Sequence, residues 1–155
     1  MIEEIIKNLT EYFLTLPTEP AIKSVKYGPA ALVPANDQPC VMFNISNIDR
    51  VPYSNGLGSY QIIINIDVML LTSVLTNEQD ATLEVQKLLW QYNDKNEDAG
   101  FLPPLAEAQG SILFTDRTGR SFLLQNLSDL RILGRSTANN SRGALKITMQ
   151  LLTII

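Results

Sequence analysis

Apolar residues at the start of the chain fall at helical spacing: Ile2, Ile5, Ile6, Leu9, Phe13 and Leu16 lie close to one face, with Glu3, Glu4, Lys7 and Glu11 elsewhere. This predicts a first helix stopped by Pro17 and Pro20, its two early glutamates complementing the positive end of the helix dipole. A second helix is expected over residues 77–92. Thr76 and Gln79 form its capping pair, and Ala81, Val85, Leu88, Leu89 and Tyr92 its apolar stripe.

Elsewhere the period is two. Val41, Phe43 and Ile45 predict a strand over residues 40–48. Tyr60, Ile62, Ile64, Ile66, Val68 and Leu70 give a longer one with an unbroken apolar face. The other face of that strand mixes Gln61, Asn65 and Asp67 with Ile63, Met69 and Leu71, a pattern that cover by a neighbouring subunit would explain. Residues 22–35 carry Pro29 and Pro34 and read as a short edge strand and a loop. Residues 49–59, with Pro52, Asn55, Gly56 and Gly58, read as a long hairpin connection. Residues 93–110 are polar and acidic with Pro103-Pro104, which predicts a long surface connector anchored by Phe101-Leu102.

The last third is expected to be β-structure again. Residues 112–115 and 121–125 flank the hairpin signal Asp116-Arg117-Thr118-Gly119-Arg120. A short strand over 129–135, a loop over 136–143 and a closing strand follow, the last with Leu145, Ile147, Met149 and Leu151 on one face. The terminus 151–155 is apolar and requires cover from its own fold or a partner. The fold class expected is therefore α+β: one domain over residues 1–155, a mostly antiparallel sheet packed by an N-terminal and a mid-chain helix.

Composition narrows the chemistry. At 155 residues and 45% hydrophobic the chain suffices for one core without metal or disulfide staples, in keeping with a single cysteine, Cys40. It has no histidine, so Ser-His-Asp and Cys-His nucleophiles and histidine-ligated zinc are excluded. The N-terminal residues lack a signal-peptide apolar run, and no stretch approaches membrane-spanning length, so a soluble protein made in the cytoplasm is expected, with no membrane partner.

Charge is segregated along the chain. Residues 1–116 hold 6 Lys/Arg against 15 Asp/Glu, whereas residues 117–155 hold 6 against 1. Such poles suit head-to-tail association, unless one sheet interleaves the two segments and mixes their charges in space. No phosphate loop, dinucleotide fingerprint or metal cluster is present, and Asp94, Glu97 and Asp98 lack the spacing of a calcium loop. No cofactor, metal or catalytic residue is expected. Asp67 has no second carboxylate at readable spacing and is expected to face outward or pair with an arginine. Arg117, Arg120, Arg131, Arg135 and Arg142, with Phe122 the one aromatic among them that could stack a base, favour protein docking over nucleic-acid binding. Arg50, Tyr53 and Leu57 are contact-prone residues held between turn formers.

The order of elements meets a known family. The strand Pro39-Cys40-Val41-Met42-Phe43, the strand ending Ile66-Asp67-Val68-Met69-Leu70, the late Asp129-Leu130-Arg131 and a final alternating strand resemble the tail terminator, or tail-completion, proteins of tailed bacteriophages. That resemblance implies a structural virion protein. Its subunits would form a homo-oligomeric ring, typically a hexamer, on the head-proximal end of the tail tube, stopping tube growth and joining the head connector. The implied partners are the tail tube protein, the connector proteins and, as a further candidate, the tail sheath, with DNA only as passing cargo. The acidic insert 93–110 and the hairpin 112–125 depart from the family's pattern. Alternatives are another phage neck or baseplate protein, a basic-patch nucleic-acid binder, or a small carboxylate-dependent enzyme.

Overall fold

The computed structural model describes residues 1–28, 39–52, 60–75, 78–95, 97–137 and 140–154, with side chains except at 73–75, 78, 79, 81, 133–137 and 140–144. Three helices, α1 (Ile2–Leu14), α2 (Glu78–Leu89) and α3 (Leu102–Glu107), accompany eight strands. The strands are β1 (Ser24–Tyr27), β2 (Cys40–Pro52), β3 (Tyr60–Leu75), β4 (Gln91–Tyr92), β5 (Asp98–Ala99), β6 (Ile112–Thr115), β7 (Ser121–Thr137) and β8 (Asn140–Ile154). Six form one sheet in the order β1-β2-β3-β8-β7-β6, and β4 pairs with β5 in a small hairpin. Only the edge pair β1·β2 is parallel; the other pairings are antiparallel. The α+β class read from the sequence is the observed one.

The alternation in β3 selects the core. Ile62, Ile64, Ile66, Val68 and Leu70 are buried beside Val41 and Phe43 of β2, Leu145, Ile147, Met149 and Leu151 of β8, and Phe122 and Leu124 of β7. The helices supply Ile5, Leu9 and Phe13 from α1 and Val85 and Leu88 from α2 to the same cluster. Burying a side chain of this size contributes roughly 1.5–3 kcal/mol, so this one layer carries most of the fold's stability. At the end of α1, the Tyr12 carbonyl accepts both the Thr15 hydroxyl at 2.6 Å and the Thr15 N–H at 3.0 Å, which closes the last turn.

Several expectations are corrected. The connector over 93–110 is more than a surface loop: it contributes β5 and α3, and its expected anchor Phe101 is fully buried together with Leu105. Phe101 stacks with Phe13 at a ring distance of 6.4 Å. Pro103 and Pro104, read as loop residues, begin α3 instead, where a missing N–H costs nothing. The segments read as separate strands over 121–125 and 129–135 are one long β7, bent by bulges between Leu124 and Asn126 and between Ser128 and Arg131. Asp129 takes φ 55° there, a conformation aspartate tolerates better than most residues. The segment read as a loop over 136–143 is mostly ladder, with Thr137 paired to Asn140. Strand β2 runs on through Pro52, into the segment read as a hairpin connection. Tyr92, assigned to the stripe of the second helix, lies beyond the helix end in β4 and is exposed. The cap at Thr76 lies outside the described residues.

Candidate functional site: the uncovered face of the sheet

With the buried apolar residues of the helices in one cluster on one side, the opposite face of the sheet is built by the remaining alternate positions. Its rows follow from the register. Met42 lies beside Met69, Lys146 and Arg131; Asn44 beside Asp67, Thr148 and Ser128; Asn47 beside Asn65, Gln150 and Asn126. The next row holds Asp49, Ile63, Leu152 and Leu123. Polar rows therefore occupy the middle, while Cys40, Met42 and Leu71 form a small buried apolar cluster at one end, with Met69 packed against it.

The polar rows are stitched across strands. Gln150 Nε2 donates to Asn65 Oδ1 at 3.1 Å, and the Thr148 hydroxyl lies 3.5 Å from Asp67 Oδ1. Asp67, expected to face outward or pair with an arginine, is half-buried on this face, and its partner is Thr148. A cleft of about 210 Å³ opens here, lined by Gly28, Met42, Asn44, Asp67, Met69 and Lys146 among others. Among the described residues its lining holds one carboxylate and one ammonium-bearing side chain. Lys146 was visible in the sequence only as one polar residue of the closing strand; its place beside Asp67's row depends on the β3·β8 register.

The predicted interface residues scatter. Arg117, with its side chain largely exposed, makes a contact within the subunit: its guanidinium and its backbone N–H, the latter at 3.1 Å, both bond the Glu4 carboxylate of α1. That pair holds the Glu4 carboxyl below the usual range and raises the guanidinium's value further. The clamp is set up by the β6–β7 turn, where Asp116 Oδ1 accepts from Thr118 Oγ1 at 2.6 Å, Arg120 N at 2.9 Å and Thr118 N at 3.0 Å. The same bonds, led by that from the Thr118 hydroxyl, hold Asp116 below its ordinary range. Here, then, the acidic N-terminal and basic C-terminal segments mix in space, as their sharing of one sheet also requires.

Arg50 lies exposed in β2 with its guanidinium 3.9 Å from the centre of the Tyr60 ring. Tyr53 and Leu57 lie outside the described residues. Arg131 is exposed and faces Lys146 across the β7·β8 ladder, while Arg135 and Arg142 occupy directly paired backbone positions in the same hairpin. No group of three or more potential metal-ligating side chains gathers among the described residues, and none of the described helices is long and apolar enough to cross a membrane. No protein-family model matches the chain, and no curated protein matches it significantly.

Proposed function

We propose that this chain is a structural subunit of a phage tail, a tail terminator that forms a ring at the head-proximal end of the tube and meets the head connector. The observation that carries the reading is the sheet whose one face is packed by the described helices. Its other face carries two polar rows joined across strands, flanked by rows that mix apolar and charged residues, and ends in exposed Ile154. Mixed faces of this kind are what subunit contacts bury. The order of elements named in the sequence supports the same reading through its resemblance to terminator proteins.

The test is genetic and visual. Removing the chain from the phage or prophage that encodes it should leave filled heads and unjoined tails, with tubes beyond normal length, and restoring it should return a ring at the tube end in electron micrographs. Joined particles of normal tail length in its absence would exclude a terminator, and with it the ring proposed here.

A further inference from the structure

Two stretches of the sheet have a strand on one side only. β2 is flanked by β1 at Cys40, Val41, Met42 and Phe43 and by β3 along its length, so from residue 44 to 52 no described strand lies on its outer edge. The Tyr27 hydroxyl reaches that edge once, 3.3 Å from the Ile45 N–H. At the opposite side β6 pairs with β7 through Ser121, Phe122 and Leu123, and Gln109 bridges Leu124; from residue 125 to 137, β8 is the one described strand beside β7. Each such edge presents alternate N–H and C=O groups able to accept another strand.

Resting on the ring reading above, we infer that these two edges pair with each other between copies, the β2 edge of one subunit adding antiparallel to the β7 edge of the next, centred on Asp49 opposite Arg131. Direction permits it. Three antiparallel steps separate β2 from β7, so the two run oppositely, and a neighbour in the same orientation presents β2 antiparallel to β7. Sidedness permits it too. Asp49 shares its row with Ile63 and Leu152 and Arg131 shares its row with Lys146, both on the uncovered face. Ile48 pairs with Ile64 and Ile132 with Leu145, both on the core face, so the same register sets exposed Ile48 against half-buried Ile132.

The charges give the pairing its sense. Opposed β2 edges centred on Asp49 would face carboxylate with carboxylate, and opposed β7 edges centred on Arg131 guanidinium with guanidinium; only the mixed pair is attractive. The bulges at Ile45/Asn47 and Ser128/Arg131 blunt both edges against indiscriminate pairing.

The short outer strands set the offset. β6 blocks the beginning of β7 and β1 blocks the beginning of β2, so a neighbour fits only when displaced along the strands. Asp49 lies level with Leu123 within one subunit, and Leu123 and Arg131 face Leu152 and Lys146, six positions apart on β8. The displacement is therefore roughly 20 Å across a repeat of four strands roughly 19 Å wide. It clears β6 and brings the neighbour's β1 to the end of β7. The implied strand inclination of about 45° is at the upper end of the tilts at which sheets close on themselves. A head-to-tail contact of this kind generates a ring when its rotation closes.

The test mixes two otherwise wild-type chains, one carrying Asp49→Cys and the other Arg131→Cys, with the buried Cys40 left in place, and oxidises them at high protein concentration and in assembled particles. The expected product is the mixed 49–131 dimer in excess over both like-with-like dimers, and a covalent ladder from a chain carrying both substitutions. Like-with-like dimers in statistical proportion, or no 49–131 link in either setting, would overturn the pairing. Independently, Asp49→Lys should weaken self-association about tenfold, and adding Arg131→Asp should restore it. Failure of the restoring change in chains whose circular dichroism is native would also overturn it. A 49–131 link in chains that never cap a tube sinks the terminator reading alone; tube-capping rings without the link sink the edge pairing alone.

Discussion

Gly100 sits where three segments meet. At φ +100° its N–H donates to the Pro17 carbonyl at 2.9 Å, and an added Cβ would lie 2.9 Å from the Leu88 carbonyl oxygen and 3.0 Å from that of Leu89. Both the backbone conformation and the space therefore require glycine. Gly100→Ala should destabilise the fold by about 2 kcal/mol in urea denaturation. Glu4 predicts a pH dependence. Its folded value is depressed by Arg117, so the stability it contributes is present above the unfolded carboxylate value and lost as pH falls through the folded one. Asp116 acts in the same window and with the same sign. Glu4→Gln should thus flatten the acid limb of a stability–pH curve while leaving Asp116's share. Because Arg117 is largely exposed, added salt should shrink the difference between the two proteins.

At the scale of elements, the segment from β4 to α3 is held by an aromatic plug. Phe101 is fully buried against Phe13, which in turn meets Phe43 at 5.6 Å, and the Phe101 N–H donates to the Leu88 carbonyl at 2.9 Å. This ties α1, α2 and the sheet to one short connector. Phe101→Ala should cost about 3–5 kcal/mol, the range for aromatic truncation in a core, and should do so without altering the β6–β7 turn. Amide exchange that rises at Gly100 and at the end of α2 before it rises in β3 and β8 would locate the damage as described. Uniform loss across the sheet would mean that the plug and the sheet open as one unit.

Across the whole molecule, the segregated charges of the sequence separate into two groups. Arg117 pairs with Glu4 within the subunit, and Arg131 lies exposed beside Lys146. Replacing Arg131 and Arg135 together by glutamate therefore sets opposite charges across the Arg131·Lys146 position. The melting temperature should move by no more than about 2 °C. Assembly into tails should fall, and the wild-type contact should weaken as salt rises. Unfolding of this variant would assign the arginines to the fold, and normal particle yield would remove them from the interface.

What the sequence by itself determined were the features set by local periodicity and local turn chemistry. The stripe of Ile5, Leu9 and Phe13 specifies a helix and its buried face, and the alternation of Ile62 through Leu70 a strand and its core side. The Asp116–Arg120 turn was legible because aspartate and glycine are what its bonds demand. Tertiary structure alone decided the rest. Phe101 was legible as the anchor of an acidic connector, but nothing local says that Phe13 is its partner or that Leu105 is buried with it. β7 looked like two strands because bulges break the alternation without breaking the ladder to β8. The partner of Arg117 lies 113 residues away, and the rows that set Asp67 near Lys146 exist only once β3 and β8 are in register. Spacing along one strand fixes which face a side chain occupies, whereas its neighbour on that face belongs to another strand, and only the pairing of the two supplies it.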